Sequence, residues 1–302
     1  MRKKAVILIA LAGFAAMAAA LGPTTGGSGS KGGKGIEERR ALDGNAALSV
    51  RNTAGSIKVE AWDKSELELT GRLGDGVERL EIAGSSTNMK IDVRLKHGLR
   101  PSYTDTLLVL RVPAGVNLTL EGTSADLLVS GVKGKLTART VSGDVGLNVE
   151  SAEVSAQTVS GDVHLDAPKA THTSVSTVSG GTQINGPSGT LHADSVSGDI
   201  DLNGGSFTQL DLKSVSGDVQ VRAATTADAE VKAESLSGDV RFNATRDLNA
   251  KVALKSFSGD KHCELDAARP LSDGKRMIYT LGEGKGQISL TSFSGNVVLQ
   301  GQ

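Results

Sequence analysis

Eight near-copies of one hexapeptide set a hydroxyl, a glycine and a carboxylate side by side: TVSGDV at 140–145 and 158–163, TVSGGT at 177–182, SVSGDI at 195–200, SVSGDV at 214–219, SLSGDV at 235–240, SFSGDK at 256–261 and SFSGNV at 292–297. Successive copies begin 18 to 21 residues apart, except for one interval of 36. Stacked in register at the spacing of β-strands, about 4.7–4.9 Å, they build two ladders of hydroxyls and one row of carboxylates. That row is Asp144, Asp162, Asp199, Asp218, Asp239 and Asp260, broken by Gly181 and joined by the uncharged Asn296. Neighbouring carboxylates at this spacing repel by about 1 kcal/mol in water, and by about 3–4 kcal/mol at a surface dielectric near 20. Three compensations exist: the N–H groups of the turn itself, splaying into solvent, or a cation held by these six Asp, for which an all-oxygen ligand set suits Ca²⁺. Bonding to the turn's own amides is the expectation, with the cation as the alternative. The calcium-binding pattern Gly-Gly-x-Gly-x-Asp is absent, and the period is about twice too long for it.

Other reactive residue types form no constellation. None of the serines sits in the Gly-x-Ser-x-Gly context of a nucleophile elbow. His172 and His192 fall on outward parity in neighbouring laps, about 8 Å apart by strand geometry. His164 lies on the other strand of its lap, and His97 and His262 lie in irregular stretches. Cys263 is alone, which excludes an internal disulfide, and reads as a small buried apolar residue. Trp62, Tyr103 and Tyr279 are the only aromatics with a polar tip. No catalytic residue, cofactor motif or resident metal site is assigned, and the chain is read as noncatalytic. A polysaccharide-active β-helix is the enzyme alternative. It would need acids converging in a groove under long return loops, and here the returns are short except at 261–287.

The elements that must hold these corners are strands. Before each turn, apolar or small residues occupy one parity, as in Leu136, Ala138, Thr140 and Leu191, Ala193, Ser195. After it they occupy the other, as in Val141, then Val145, Leu147 and Val149, or Val159, then Val163, Leu165 and Ala167. Side chains alternate faces with period two along a strand. A slip of parity therefore means that the chain bends while keeping its apolar side inward, with Val141 and Val159 among the inward residues. Gly143, Gly161, Gly180, Gly198, Gly217, Gly238, Gly259 and Gly295 are assigned to that bend, because glycine reaches positive φ without steric cost.

A lap of strand, corner, strand and return loop that repeats every 18–21 residues marks a solenoid. One lap buries roughly five or six aliphatics at about 1.5–3 kcal/mol each, against about 1–2 kcal/mol per ordered residue. A single lap cannot fold; stacked laps share both apolar faces and backbone bonds. The scarcity of aromatics, eight in 302 residues, fits a core filled by Val, Leu, Ile and Ala.

Along the chain, MRKK followed by AVILIALAGFAAMAAA has the charged and apolar regions of a secretory signal peptide, assigned to 1–20. The Gly/Ser-rich GPTTGGSGSKGGKG makes 21–35 a linker, 36–121 reads as a β-rich lead-in, and 122–302 as the solenoid repeats. Removing 1–20 takes away three basic residues and no acidic one, leaving 30 basic against 34 acidic residues. Such a balance gives no electrostatic footprint for nucleic acid or anionic lipid, and no membrane span is expected after signal removal. The chain ends on NVVLQGQ, so the last lap should expose unpaired backbone. Either RMIYTLGEGKGQISL (276–290) covers that edge, or it pairs end to end with another copy.

LSVRNTAGSIKVEAWD, the LRVP strand, the run of VSGDV turns and the closing GKGQISLTSFSGNVVL together resemble the bacterial putative-adhesin family of β-strand-repeat proteins, over residues 42–300. The resemblance implies an exported all-β solenoid without catalytic residues. It would act in the periplasm, at the cell surface or after secretion as an adhesin or scaffold, with an envelope or extracellular protein or glycan as partner. Gly181-Thr182 and the 261–287 insertion depart from the pattern, and stacking is expected to be least regular there.

Overall fold

Alternating aliphatic and polar residues, broken every few positions by Ser-Gly-Asp, produce strands and nothing else. The computed structural model describes residues 34–96, 105–245, 248–265, 271–272 and 275–301, all of them strand, turn or irregular. The assigned signal peptide, residues 21–33 of the linker, His97 and Tyr103 lie outside the described residues. No helix among the described residues is long and apolar enough to cross a membrane.

The first strands are β1 (Gly35–Ala41), β2 (Ala47–Trp62), β3 (Glu66–Arg72), β4 (Val77–Gly84), β5 (Asn88–Leu95) and β6 (Thr106–Pro113). The long β7 (Asn117–Ser130) follows, then one short strand on each side of a corner: β8 (Leu136–Arg139) and β9 (Val145–Asn148), β10 (Glu153–Ser160) and β11 (Val163–Asp166), β12 (His172–Ser179) and β13 (Thr182–Asn185). From β14 (Gly189–Ser197) onward strands merge across the return, giving β15 (Ile200–Ser216), β16 (Val219–Ser237) and β17 (Val240–Ala244). The chain closes with β18 (Ala250–Ser256), β19 (Lys261–Cys263), β20 (Leu271–Ser272), β21 (Arg276–Thr280), β22 (Gly286–Ser292) and β23 (Val297–Gly301).

The protein is an all-β solenoid. Strands ahead of the corner form one parallel ladder, in which Val50, Leu120, Ala138, Ala156, Val175, Ala193, Leu212 and Ala233 are successive partners. Strands after it form a second ladder through Val59, Val129, Leu147, Leu165, Ile184, Leu202, Val221 and Phe242. These residues are buried, and their side chains meet between the two ladders. Parallel stacking already begins at β2, which pairs with β7 from Ala47↔Asn117 to Glu60↔Ser130. The 121/122 boundary falls inside β7, because one strand carries the chain through that corner unbroken.

The corner differs from the parity rule in one respect. Thr140 and Val145 are both buried, and the four residues between them turn outward, so Val141 is 47% exposed. Val159 is likewise exposed. The strand completes one more alternation before it bends, as β10 shows by ending in two exposed residues. Parity is thus reset by a four-residue corner rather than by a slip at 140/141.

At the C-terminal end, order in space departs from order in sequence. β22 pairs with β16 on one side and with β18 on the other, and β23 lies between β17 and β19. The last lap of the chain is therefore interior, not the exposed end that the sequence suggested. β18 and β19 form the terminal lap, and β21 covers β18 as an antiparallel strand, from Lys251↔Thr280 to Lys255↔Arg276. Half of the proposed 276–290 cap does cap; the other half is a lap. The opposite end is closed the same way, with β4 antiparallel to β5 and β3 antiparallel to β6 and β1.

Around Gly181-Thr182 the register is regular, with Thr182 between Val163 and Ile200. The departure is chemical. Thr173 and Thr182 stand where other laps place Leu or Val, and neither buried hydroxyl has a partner.

Two outcomes are expected. Thr182→Val, isosteric and apolar, should raise stability by about 1 kcal/mol in denaturant unfolding, because a buried unsatisfied hydroxyl costs about 1–3 kcal/mol; an unchanged midpoint contradicts this account of the lap. A chain stopped after Gly284 should lose hydrogen-exchange protection at the Val240 amide, which donates to the Asn296 carbonyl. Retained protection there would mean that β18 and β19 close the gap themselves.

Candidate functional site

Every corner stands on the corner beneath it. A Cβ built on Gly161 would lie 2.1 Å from the carbonyl oxygen of Gly143, and one on Gly180 2.1 Å from that of Gly161. The same clash recurs at 2.0–2.3 Å for Gly143, Gly198, Gly217, Gly238, Gly259 and Gly295. A positive φ in the range that disfavours side chains occurs at Gly143, Gly161 and Gly180 (140–159°), and at none of the other five. The expectation that φ selects glycine holds at these three and not at the other five; the cause common to all eight is the close approach of stacked backbones.

The carbonyl that excludes a Cβ is itself satisfied by the lap above. Thr158 donates its hydroxyl to the Gly143 carbonyl, Ser214 to Gly198, Ser235 to Gly217 (2.9 Å), Ser292 to Gly238 and Ser256 to Gly295 (both 2.8 Å). These hydroxyls are buried, so the first ladder is part of the core rather than a row of nucleophiles. Thr177 and Ser195 are also buried but lack a hydrogen-bond partner.

The carboxylates point upward as well. Asp144 accepts the backbone N–H of Asp162 at 2.9 Å, Asp162 that of Gly181 at 2.7 Å, Asp199 that of Asp218 at 2.8 Å, and Asp218 that of Asp239 at 2.8 Å. Asp239 accepts from Asn296, and the Asn296 side-chain oxygen accepts from Asp260 at 3.0 Å. Each of these six side chains thus bonds to the next lap, not to its own turn as the sequence suggested; Asp260, in the terminal lap, contributes its N–H. Gly181, without a side chain, has nothing to offer Asp199. Asp218 and Asp239 also meet Arg241. Amide donation and this guanidinium supply the compensation that like charges in file require. No group of three or more His, Cys, Asp or Glu among the described residues is arranged to hold a metal ion.

Sequence reasoning missed the first member of the row. Asp126 accepts the N–H of Asp144 at 3.0 Å, and its segment, TSADLL, is the same corner with Ala125 in place of glycine. The exchange is compensated within the lap. Gly122 occupies the hydroxyl position, and a Cβ there would lie 3.3 Å from the Ala125 methyl.

The remaining candidates are dispersed. His192 bridges Asp194 (2.6 Å) and Asp211 (3.4 Å) on the outer face, and Lys213 joins Asp211 at 2.7 Å. His172 pairs in register with Thr190, one row away from His192, and bonds to Thr171, while His164 meets Asp166 at 3.2 Å. Burial pushes the carboxyl of Asp201 upward, and it also raises the half-buried Cys263 thiol away from its reactive form. Trp62 donates to the Glu66 carbonyl and carries Lys64 over its ring, and Tyr279 is buried, so neither is a bare platform.

The corner predicts an ordering of variants at one lap. Gly217→Ala should cost about 2–4 kcal/mol, since its Cβ meets the Gly198 carbonyl at 2.2 Å. Asp218→Ala should cost about 1–2 kcal/mol by orphaning the Asp239 N–H. Asp218→Asn keeps the acceptor, as Asn296 does, and should change stability by under about 0.5 kcal/mol. Equal losses for the two Asp218 variants in urea unfolding would contradict the lap-to-lap bond.

No curated protein matches the sequence. Among solved structures, a "putative adhesin" from Bacteroides fragilis NCTC 9343 aligns over 89% of this chain and 98% of its own, at 12% identity and a TM-score of 0.37. One from Parabacteroides merdae aligns over 88% and 96%, at 12% identity and 0.35. A "putative cell adhesion protein" from Clostridium sporogenes aligns over 89% and 100%, at 8% identity and 0.20. A family model, Toastrack DUF4097, matches residues 43–300, from the turn before β2 into β23, and the chain belongs to that family.

Proposed function

We propose that the protein is a noncatalytic, exported interaction module, an adhesin or envelope scaffold that presents the outer faces of its solenoid to a protein or glycan. One observation carries this reading. The buried hydroxyls and the carboxylates of the repeat, the groups best placed to do chemistry, are spent on holding one lap to the next. The outward rows vary from lap to lap, from Arg139 and Gln157 to Asp194, Lys213 and Glu234, and the bonds they make between laps, such as Arg139 to Gln157, lie at the surface. Recognition therefore belongs to those rows. The adhesion-related descriptions of the aligned structures agree with it, and the charged and apolar opening of residues 1–20 supports export to the periplasm, cell surface or medium. End-to-end filament growth is the weaker reading. The edge strand β1 carries Glu37, Glu38, Arg39 and Arg40, the charged style of edge that resists further pairing, and β18 is already covered.

The test is sedimentation of the mature chain with purified sacculi and envelope polysaccharides. Saturable binding is expected, weakened at least about tenfold by combined alanine replacement of His192, Asp211 and Lys213 or of another outward row, with no release of reducing sugar. Hydrolysis of a polysaccharide, or no binding to any envelope fraction, would overturn the reading.

A further inference from the structure

One row of the corner is spent on nothing inside the molecule. Val141, Val159, Val178, Val196, Val215, Leu236, Phe293 and Phe257, in spatial order, follow the buried hydroxyl of each lap and are 45–58% exposed. They form a ridge along the solenoid, about 34 Å long at the spacing of strands. The rings of Phe293 and Phe257 stack at 4.8 Å and 4°, and the Lys275 ammonium closes the end 4.5 Å from the Phe257 ring. Beside the ridge runs a groove of about 520 Å³, with Val196, Val215, Leu236 and Phe293 on one wall and Asp194, Lys213 and Glu234 on the other. The corner does not require an apolar residue there. The first two laps carry Thr53 and Thr123 at the same position, with the same parallel register.

We infer that this ridge is a dimerisation surface, on which a second copy of the chain packs side by side with its solenoid axis parallel to the first. Period selects the partner. An α-helix, with its turns about 5.4 Å apart, slips against the ridge by most of a lap over eight laps, and same-face residues of a lone strand recur at about 6.6 Å. A second ridge has the same pitch by construction, and its knobs meet these lap for lap. Area agrees: the ridge exposes roughly 600 Å², at the upper end for patches on monomers, and with its flanking rows approaches the roughly 800 Å² per partner of a stable interface.

Charge selects the orientation. One flank of the ridge is the Asp row; the other is the mixed row of Arg139, Asp194, Lys213, Glu234 and Lys255. Antiparallel packing would set the two Asp rows against each other. A two-fold axis along the solenoid sets Asp144, Asp218 and Asp260 opposite Arg139, Lys213 and Lys255 of the other copy, outnumbering the like-charge meetings at Asp194 and Glu234.

Sedimentation equilibrium of the mature protein across micromolar concentrations should show a dimer. Val196→Lys with Val215→Lys should weaken it by about 100-fold or more without lowering the melting temperature. Thr at the same two sites, copying Thr53 and Thr123, should weaken it less. In a Cys263→Ser background, Val141→Cys should form a disulfide with its own counterpart under mild oxidation. A monomeric wild type, or a dimer indifferent to both pairs of substitutions, overturns the proposal. Cross-linking by Val196→Cys without cross-linking by Val141→Cys overturns the parallel arrangement.

Discussion

The structure depends on the contact between one glycine carbonyl and the glycine of the next lap. At a Cβ-to-oxygen distance of 2.0–2.3 Å no side chain fits, so stacking requires glycine at all eight corners, and a positive φ adds to it at three. That close approach lets Ser and Thr reach the same carbonyl and lets each Asp reach the next amide. Three kinds of bond thus cross a complete corner: strand pairing, hydroxyl to carbonyl, and amide to carboxylate. A solenoid has no long-range contacts to enforce its pitch. The corner enforces it lap by lap, and the aliphatic residues on both sides follow in register.

This arrangement explains why like charges are tolerated in file. Each carboxylate from Asp144 to Asp239 meets an N–H of the lap above, a charge-assisted bond shorter and stronger than a neutral one. Asn296 serves equally well as an acceptor, so geometry rather than charge is required. The weak lap lies where Gly181 removes the side chain. Thr177 and Ser195 are also unsatisfied there, next to the unpartnered hydroxyls of Thr173 and Thr182.

Much of the fold was legible because it is periodic. Alternation gave the strands, the hexapeptide marked the corners, and the spacing implied a coil. Three features were not legible, each for a physical reason. Alternation alone cannot say how many residues a corner holds, so Val141 and Val159 were placed inward; any apolar residue beside a turn invites that reading. A hydrogen bond to the next lap and one to the same turn use the same residues, so the sequence alone does not distinguish the two destinations of each Asp. Spatial order is invisible when laps are near-equivalent, and SFSGNV at 292–297 fits between β16 and β18 as well as it fits at the end. The 36-residue interval between 256 and 292 was the one signal of that exchange. Asp126 was hidden by a single substitution, Ala125 for glycine, whose compensating partner Gly122 lies three residues earlier.

The inserted last lap bears on how the stack is terminated. A lap added at the end of a parallel coil always leaves a new edge. Here the chain first lays down β18 and β19 one lap too far, turns back through the antiparallel β21, and then fills the vacancy with β22 and β23. The edge strand is covered before the coil is complete, and the C-terminus finishes in the interior of the stack, paired on both sides. The first lap is closed by the same device, since β3 and β4 run antiparallel to the strands they cover. Antiparallel strands cover β18 at one end and β5 and β6 at the other, while the apolar row runs along the side. One topology thus covers these terminal strands and leaves its flank exposed.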